Sequence, residues 1–234
     1  MQWIPFATMV LSAIFAIYTL YLLIRKRDNC LMMWCAGLLF YGLSSGIAFT
    51  FGLGIKNLIL YRLWYLSDAI LATAFFAIGI VYYILPRRMA FPLFLLLTIA
   101  SIYSIIEVFI APVEISDMYI LSNRPFPLQI HIISLFFYLS EMVVIFVALF
   151  YGVYSAVTRR RRFFNSISLL LMGGGMILPV VSGISLWSGM NMSLSIYIYE
   201  LLGLIVFFAG LLIGYAIPVS AEFRPEVDSQ QFPE

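Results

Sequence analysis

The chain has 234 residues, of which 64% are hydrophobic and only 10% are charged, and its mean hydropathy is +1.05. Because soluble domains carry about 25% charged residues, this composition excludes a water-soluble globular protein and predicts an all-helical integral membrane protein. The net charge of +2 provides no strong basic field, so nucleic acid is excluded as a partner.

Seven apolar stretches follow one another along the chain, and each is long enough to cross a bilayer. We predict a single domain of seven transmembrane helices over residues 1–217, with spans at about 3–24, 30–51, 59–85, 91–110, 128–157, 163–187 and 193–217. The first span is predicted to be retained, because positive charge follows it instead of preceding it, the reverse of a cleaved signal peptide. Residues 218–234 are polar and are predicted to form a flexible cytoplasmic tail.

The basic residues predict the orientation, since cytoplasmic loops are enriched in lysine and arginine. Three of the 13 fall on one side: Lys56, Arg62 and Arg124. The other ten follow the odd-numbered spans: Arg25, Lys26, Arg27, Arg87, Arg88, Arg159, Arg160, Arg161, Arg162 and Arg224. We therefore predict an N-terminus outside, a C-terminus in the cytoplasm and a multi-pass protein of a prokaryotic plasma membrane. The run Arg159–Arg162 is also predicted to contact anionic lipid headgroups, at about 1 kcal/mol per residue near the surface.

Three of the odd-numbered spans carry an acid inside the membrane, and each acid follows a tyrosine by three residues. The pairs are Tyr65 with Asp68, Tyr138 with Glu141 and Tyr197 with Glu200. Residues three apart share one helix face. Counted from the outer ends of their spans, the acids lie roughly 10–20 Å deep at about 1.5 Å per residue. They are predicted to meet in the outer half of the bundle.

An unpaired charge facing lipid costs about 2.5–3.5 kcal/mol, so these acids are expected to face the interior or a polar cavity. One interpretation is an outward-opening pocket for a small ligand or ion, with Arg62 as internal counter-ion. Another is a buried network that only fixes the register of the helices. A third is a pathway for ions or protons, because apolar surroundings favour neutral carboxyl groups. The sequence leaves all three open.

Glycines suggest where helices approach closely. Gly173, Gly174 and Gly175, with Pro179 in the same span, are predicted either to form a hinge or to permit close packing. Two further glycine pairs have the spacing of helix-docking faces: Gly42 with Gly46 and Gly210 with Gly214. These faces, or the cytoplasmic loops, are where we expect a protein partner.

The residues that the chain lacks exclude several chemistries. Its two lysines, Lys26 and Lys56, lie outside the spans, so a retinal Schiff base is excluded. A single histidine disfavours bis-histidine haem ligation. No cofactor and no metal are predicted, the two cysteines are expected to be reduced, and no catalytic residues are assigned. We expect a non-enzyme, although an intramembrane enzyme that acts through carboxyl groups remains an alternative.

The segments YRLWYL at 61–66 and YYILPRR at 82–88 resemble uncharacterised prokaryotic seven-helix membrane proteins. The layout is also similar to the membrane sensor modules of bacterial histidine kinases, and in outline to receptor-like seven-helix proteins. This resemblance implies a receptor- or sensor-like function that needs a partner for its output. The alternatives are an accessory or structural subunit of a membrane complex and a small transporter or proton pathway.

Overall fold

A computed structural model describes residues 3–55, 57–113, 126–158, 163–187 and 193–216, and within these ranges the chain is helical with no strand. Seven of the helices are long and apolar enough to cross a membrane. They are α1 (Trp3–Lys26), α2 (Asn29–Gly52), α3 (Leu58–Ile84), α4 (Arg87–Ile110), α5 (Leu128–Thr158), α6 (Phe163–Trp187) and α7 (Ser193–Ala216). The predicted all-helical class is therefore confirmed, and the protein has the helices of a multi-pass membrane protein.

The helix bounds lie close to the predicted ones, and the largest difference is at the start of α4. Arg87 and Arg88 were expected in a loop, but they form the first turn of this helix. Pro86 precedes them as the N-cap residue and ends α3 two residues after Ile84. A proline breaks the preceding helix but needs no hydrogen-bond donor at a helix start, so a single residue ends one span and begins the next.

Neighbouring helices in the sequence are mostly neighbours in space. The most extensive pairs are α6 with α7, α2 with α3, α1 with α2 and α5 with α6, while α3 also packs against α5, and α1 against α7. Helix α4 lies outside this ring, against α3 and part of α5. The apolar segment of α3 is 72% buried and that of α4 only 17%. Helix α3 therefore forms the centre of the bundle and α4 an outer face.

The surface of the bundle is apolar, as a lipid-facing surface must be. Large side chains such as Phe150, Ile110 and Val157 are more than 70% exposed. The interior, in contrast, contains many small hydroxyl side chains, including Ser12, Thr19 and Ser104. Thr19 and Ser104 donate to the backbone carbonyl four residues earlier, which satisfies them within their own helices.

The centre of α3 is not a regular α-helix. Residues Ser67–Ala72 form a π-helical turn, and the hydroxyl group of Thr73 donates to the carbonyl of Ile70 (2.9 Å) where this turn ends. π-Helical turns are rare and occur frequently at functional sites. Asp68 lies within this turn, and nothing in the sequence predicted it.

Helices α6 and α7 touch through their backbones. A Cβ atom on Gly175 would lie 2.7 Å from the carbonyl oxygen of Gly203, and one on Gly210 would lie 2.7 Å from the carbonyl oxygen of Ser168. The hydroxyl group of Ser168 donates to Gly210 (2.7 Å) and strengthens this contact. Only glycine permits such an approach.

The remaining glycines of the predicted docking faces also lie against the chain's own helices. Gly42 faces Ser12 of α1, Gly46 faces Met9 of the same helix, and Gly214 faces Ser168 of α6. Gly173 packs near Leu149 of α5. These glycines therefore mediate close packing within the bundle.

Gly174 and Gly175 form a matched pair for a test of this packing. We expect Gly175→Ala to lower the free energy of unfolding by about 1–3 kcal/mol, because the added methyl group would overlap the backbone of α7. A Cβ on Gly174 meets no described atom within 4 Å, so Gly174→Ala should be neutral or stabilise by up to about 1 kcal/mol. Thermal unfolding of the two variants in lipid nanodiscs checks these expectations. Equal changes in stability would contradict the close backbone contact between α6 and α7.

Candidate carboxyl site

The three predicted acids line one cavity at the centre of the bundle. Asp68 comes from α3, Glu141 from α5 and Glu200 from α7. The other residues of the wall come from α2, α3, α5 and α6: Tyr41, Ala72, Thr73, Phe76, Tyr138, Met176 and Pro179. The cavity offers about 20 Å³ of space to the centres of water-sized molecules, which is room for about one water molecule.

The three carboxyl groups have different environments. Glu141 is 1% exposed, and neither of its oxygens has a hydrogen-bond partner among the residues that the structure describes. Asp68 is half-buried, and its Oδ1 lies 3.1 Å from the hydroxyl group of Ser44, which can donate to it. Glu200 is 8% exposed. A buried polar atom without a partner costs about 1–3 kcal/mol, so Glu141 is held at a cost in stability.

The predicted tyrosines are not all at the cavity. Tyr138 lines it together with Glu141, as their shared helix face predicts. Tyr65 instead donates to Ser134 (2.8 Å) and packs on Phe126. Tyr197 is half-buried on α7 and is not part of the cavity wall that the described residues form.

Tyr41 of α2 supplies a second phenol that sequence reasoning missed. It is 5% exposed and lines the cavity, and its hydroxyl group has no hydrogen-bond partner within the described ranges. Tyr41 lies on an even-numbered span with no acid near it in sequence, so the tyrosine–acid spacing could not have identified it. Ser44, one turn further along α2, was also not assigned to the site, although it contacts Asp68.

Arg62 is not among the cavity residues. Its guanidinium group donates to the carbonyl groups of Phe109 and Ala111 (2.9 Å to Ala111). These carbonyls lie at the C-terminal end of α4, where the helix itself offers no donors. Arg62 therefore caps α4 and fixes it against α3, and it is not positioned as the predicted counter-ion of the acids.

Helix α6 contributes to the cavity wall through residues of the glycine–proline segment. Pro179 and Met176 face the cavity, whereas Gly175 faces α7. One turn beyond Pro179, a Cβ on Gly183 would lie 2.6 Å from the hydroxyl group of Tyr138. The missing side chain at 183 therefore makes room for the phenol that borders the cavity.

This chemistry suits a very small, positively charged occupant. The wall offers carboxyl oxygens and phenol groups, and it has no basic side chain among the described residues. No group of three or more histidine, cysteine, aspartate or glutamate side chains in the described ranges could hold a metal ion directly. The acids are therefore arranged around a small space and not around a common coordination point.

Several predicted residues lie outside the described ranges. Arg159, Arg160, Arg161 and Arg162, predicted to contact lipid headgroups, are among them, as are the tail 218–234 and residues 114–125 of the longest loop. Cys30 and Cys35 are described, and both are free and buried.

Comparison of the chain with protein-family models, with curated proteins and with solved structures finds no match.

We expect Glu141→Met to leave the thermal stability unchanged or to raise it by about 1–3 kcal/mol. The substitution removes two buried oxygens that have no partner in the described part of the chain, and methionine fills a similar volume. Thermal unfolding in nanodiscs is the measurement. A strongly destabilised variant would mean that the Glu141 carboxyl group supports the fold.

Ser44 and Ser45 test the contact with Asp68. Both serines are buried, but Ser45 Oγ has no partner among the described residues. Ser44→Ala should lower the free energy of unfolding by about 1–3 kcal/mol, because it removes a donor from a partly buried carboxyl group. Ser45→Ala should have little effect, and the difference between the two melting temperatures checks this.

Proposed function

We propose that this protein is a non-enzymatic, receptor- or sensor-like protein of the plasma membrane, whose outer-half site binds a proton or a small cation. The observation that carries the proposal is the Glu141 carboxyl group. It is buried, borders a cavity, and has no hydrogen-bond partner among the described residues. Intramembrane carboxyl groups are costly, and they commonly mark sites where protons or ions bind.

The size of the cavity supports an ion over an organic ligand. Ligand pockets for drug-sized molecules enclose hundreds of cubic ångströms, whereas this cavity admits only water-sized molecules. A proton or a hydronium ion fits both the space and the acidic wall, and a small cation fits only without its shell of water. The organic ligand left open by the sequence is not favoured by this geometry.

The placement of the acids supports a link between binding and helix arrangement. Asp68, Glu141 and Glu200 belong to three different helices, so the charge on each affects the packing of the other two. A bound proton or cation reduces the repulsion among them and favours the arrangement in which the helices lie closest. A ligand shifts a conformational equilibrium only by such a difference in affinity between the two states.

The orientation belongs to this proposal. The ten-to-three distribution of basic residues favours the N-terminus outside and the site in the outer half of the bilayer. The output would then reach a protein partner through the inner end of the bundle, where the Arg159–Arg162 loop and the tail are expected. Single cysteines introduced at residues 53 and 228 test this orientation. In intact cells, a thiol reagent that cannot cross the membrane should label residue 53 and not residue 228.

The binding proposal predicts that ligand stabilises the folded protein. A ligand at 100 times its dissociation constant adds about 2.7 kcal/mol to the free energy of unfolding. We expect the melting temperature in nanodiscs to rise either on acidification or on titration with sodium or potassium, and choline serves as the control for ionic strength. The two titrations distinguish a proton from a metal cation.

Variants connect this response to the site. Glu141→Gln should remove most of the stabilisation by ligand while the protein stays folded. Glu107→Gln is the matched control, because Glu107 is a half-buried glutamate near the end of α4, outside the cavity wall. If wild-type protein responds to none of these ions, or if Glu141→Gln responds as wild type does, the binding proposal is wrong.

A further inference from the structure

We propose that Phe76 and Phe207 form an aromatic gate that closes the carboxyl site toward the inner end of the bundle, so that the site exchanges protons or cations only with the other side. The inner end is the one that carries the α1–α2 turn, which the distribution of basic residues assigns to the cytoplasm. This inference rests on the proposed binding site and adds how that site is sealed.

The inner boundary of the carboxyl cavity is aromatic. Phe76 lies in the cavity wall and is 2% exposed, and the ring of Tyr41 contacts it edge-on (6.2 Å between centroids). Phe207 of α7 packs edge-to-face on Phe76 (5.1 Å) and is completely buried. The two phenylalanine rings thus cover the interior between α3 and α7.

A third aromatic ring lies behind this pair. Trp34 of α2 is completely buried, and its ring contacts Phe207 edge-to-face (5.7 Å). The ring lies against Gly79 of α3, where a Cβ atom would overlap it. Since Gly79 has no side chain, the indole of Trp34 can lie directly against the backbone of α3.

A second polar cluster begins beyond these rings, at the inner end. Tyr215 of α7 contacts Trp34 edge-on, donates to Asp28 Oδ2 (3.1 Å) and lies 2.7 Å from Cys30 Sγ. Lys26 donates to the carbonyl oxygen of Tyr215 (2.8 Å). The same three helices α2, α3 and α7 therefore separate two polar regions with one aromatic layer.

The opposite direction also contains buried aromatic rings, among them Phe126 stacked on Tyr61, but hydrogen-bonding side chains accompany these rings. Tyr65 of α3, nearer the α2–α3 turn than Asp68, donates to Ser134 of α5, and the buried His131 lies beside it. Apolar constrictions block water and ions because a narrow hydrophobic segment does not stay wet. This asymmetry favours access from the outer end and closure by the phenylalanine rings at the inner end.

The experiment measures proton entry into liposomes that contain the full-length protein and a pH-sensitive dye. Wild-type protein should be tight, and Phe207→Ala and Phe76→Ala should increase the rate of entry several-fold. Adding Glu141→Gln to either variant should return the rate to that of wild type. The matched control is Phe146→Ala, which removes a 51% exposed ring from α5 and should leave the liposomes tight.

Phe76→Leu and Phe207→Leu keep an apolar side chain and serve if the alanine variants do not fold. They should increase proton entry to a smaller extent. The gate proposal is wrong if the Phe76 and Phe207 variants fold but admit protons no faster than wild type. It is also wrong if the proton leak of these variants persists when Glu141→Gln is added. If the ions still stabilise wild-type protein, that result leaves the binding site intact and rejects only the gate.

Discussion

The placement of three carboxyl groups inside an apolar bundle is the constraint on which this structure depends. An acid inside a membrane must face other helices or a cavity, because contact with lipid is too costly. The bundle meets this requirement by turning Asp68, Glu141 and Glu200 toward one small space. The bundle does not satisfy all of these groups, since the oxygens of Glu141 have no hydrogen-bond partner in the described part of the chain. In a purely structural network, each buried polar group would be expected to have a hydrogen-bond partner. We therefore favour ion binding over a role in helix register alone.

The rest of the interior is organised around this space. The π-helical turn Ser67–Ala72 carries Asp68 at the centre of the most buried helix. Gly175 and Gly203 bring α6 and α7 into backbone contact, which holds Glu200 near Pro179 across the cavity. Close packing of small residues is the usual source of helix association in lipid, where burial of apolar side chains provides little net attraction. The position of Glu200 is therefore determined by the backbone contact between α6 and α7.

The two ends of the bundle differ in a way that matters for function. Polar side chains continue from the acids toward the α2–α3 turn, whereas Phe76 and Phe207 separate the acids from the cluster of Asp28, Cys30 and Tyr215. A site that exchanges ions with one side only, as proposed here, suits a sensor better than a continuous pore. Helices α2 and α7 both take part in the cavity, the aromatic layer and the inner cluster, so they connect the acids to the inner end.

The sequence alone determined the helical class and the approximate spans, because both follow from runs of apolar residues that do not depend on tertiary contacts. It also predicted that the three acids meet, since their depths can be counted along the chain. Only the tertiary structure decided which other side chains join them. Tyr41 and Ser44 reach the acids from a neighbouring helix, while Arg62 reaches the carbonyl groups at the end of α4. The physical reason is that depth is fixed by the rise per residue, whereas the direction of a side chain is fixed by how each helix is rotated against its neighbours.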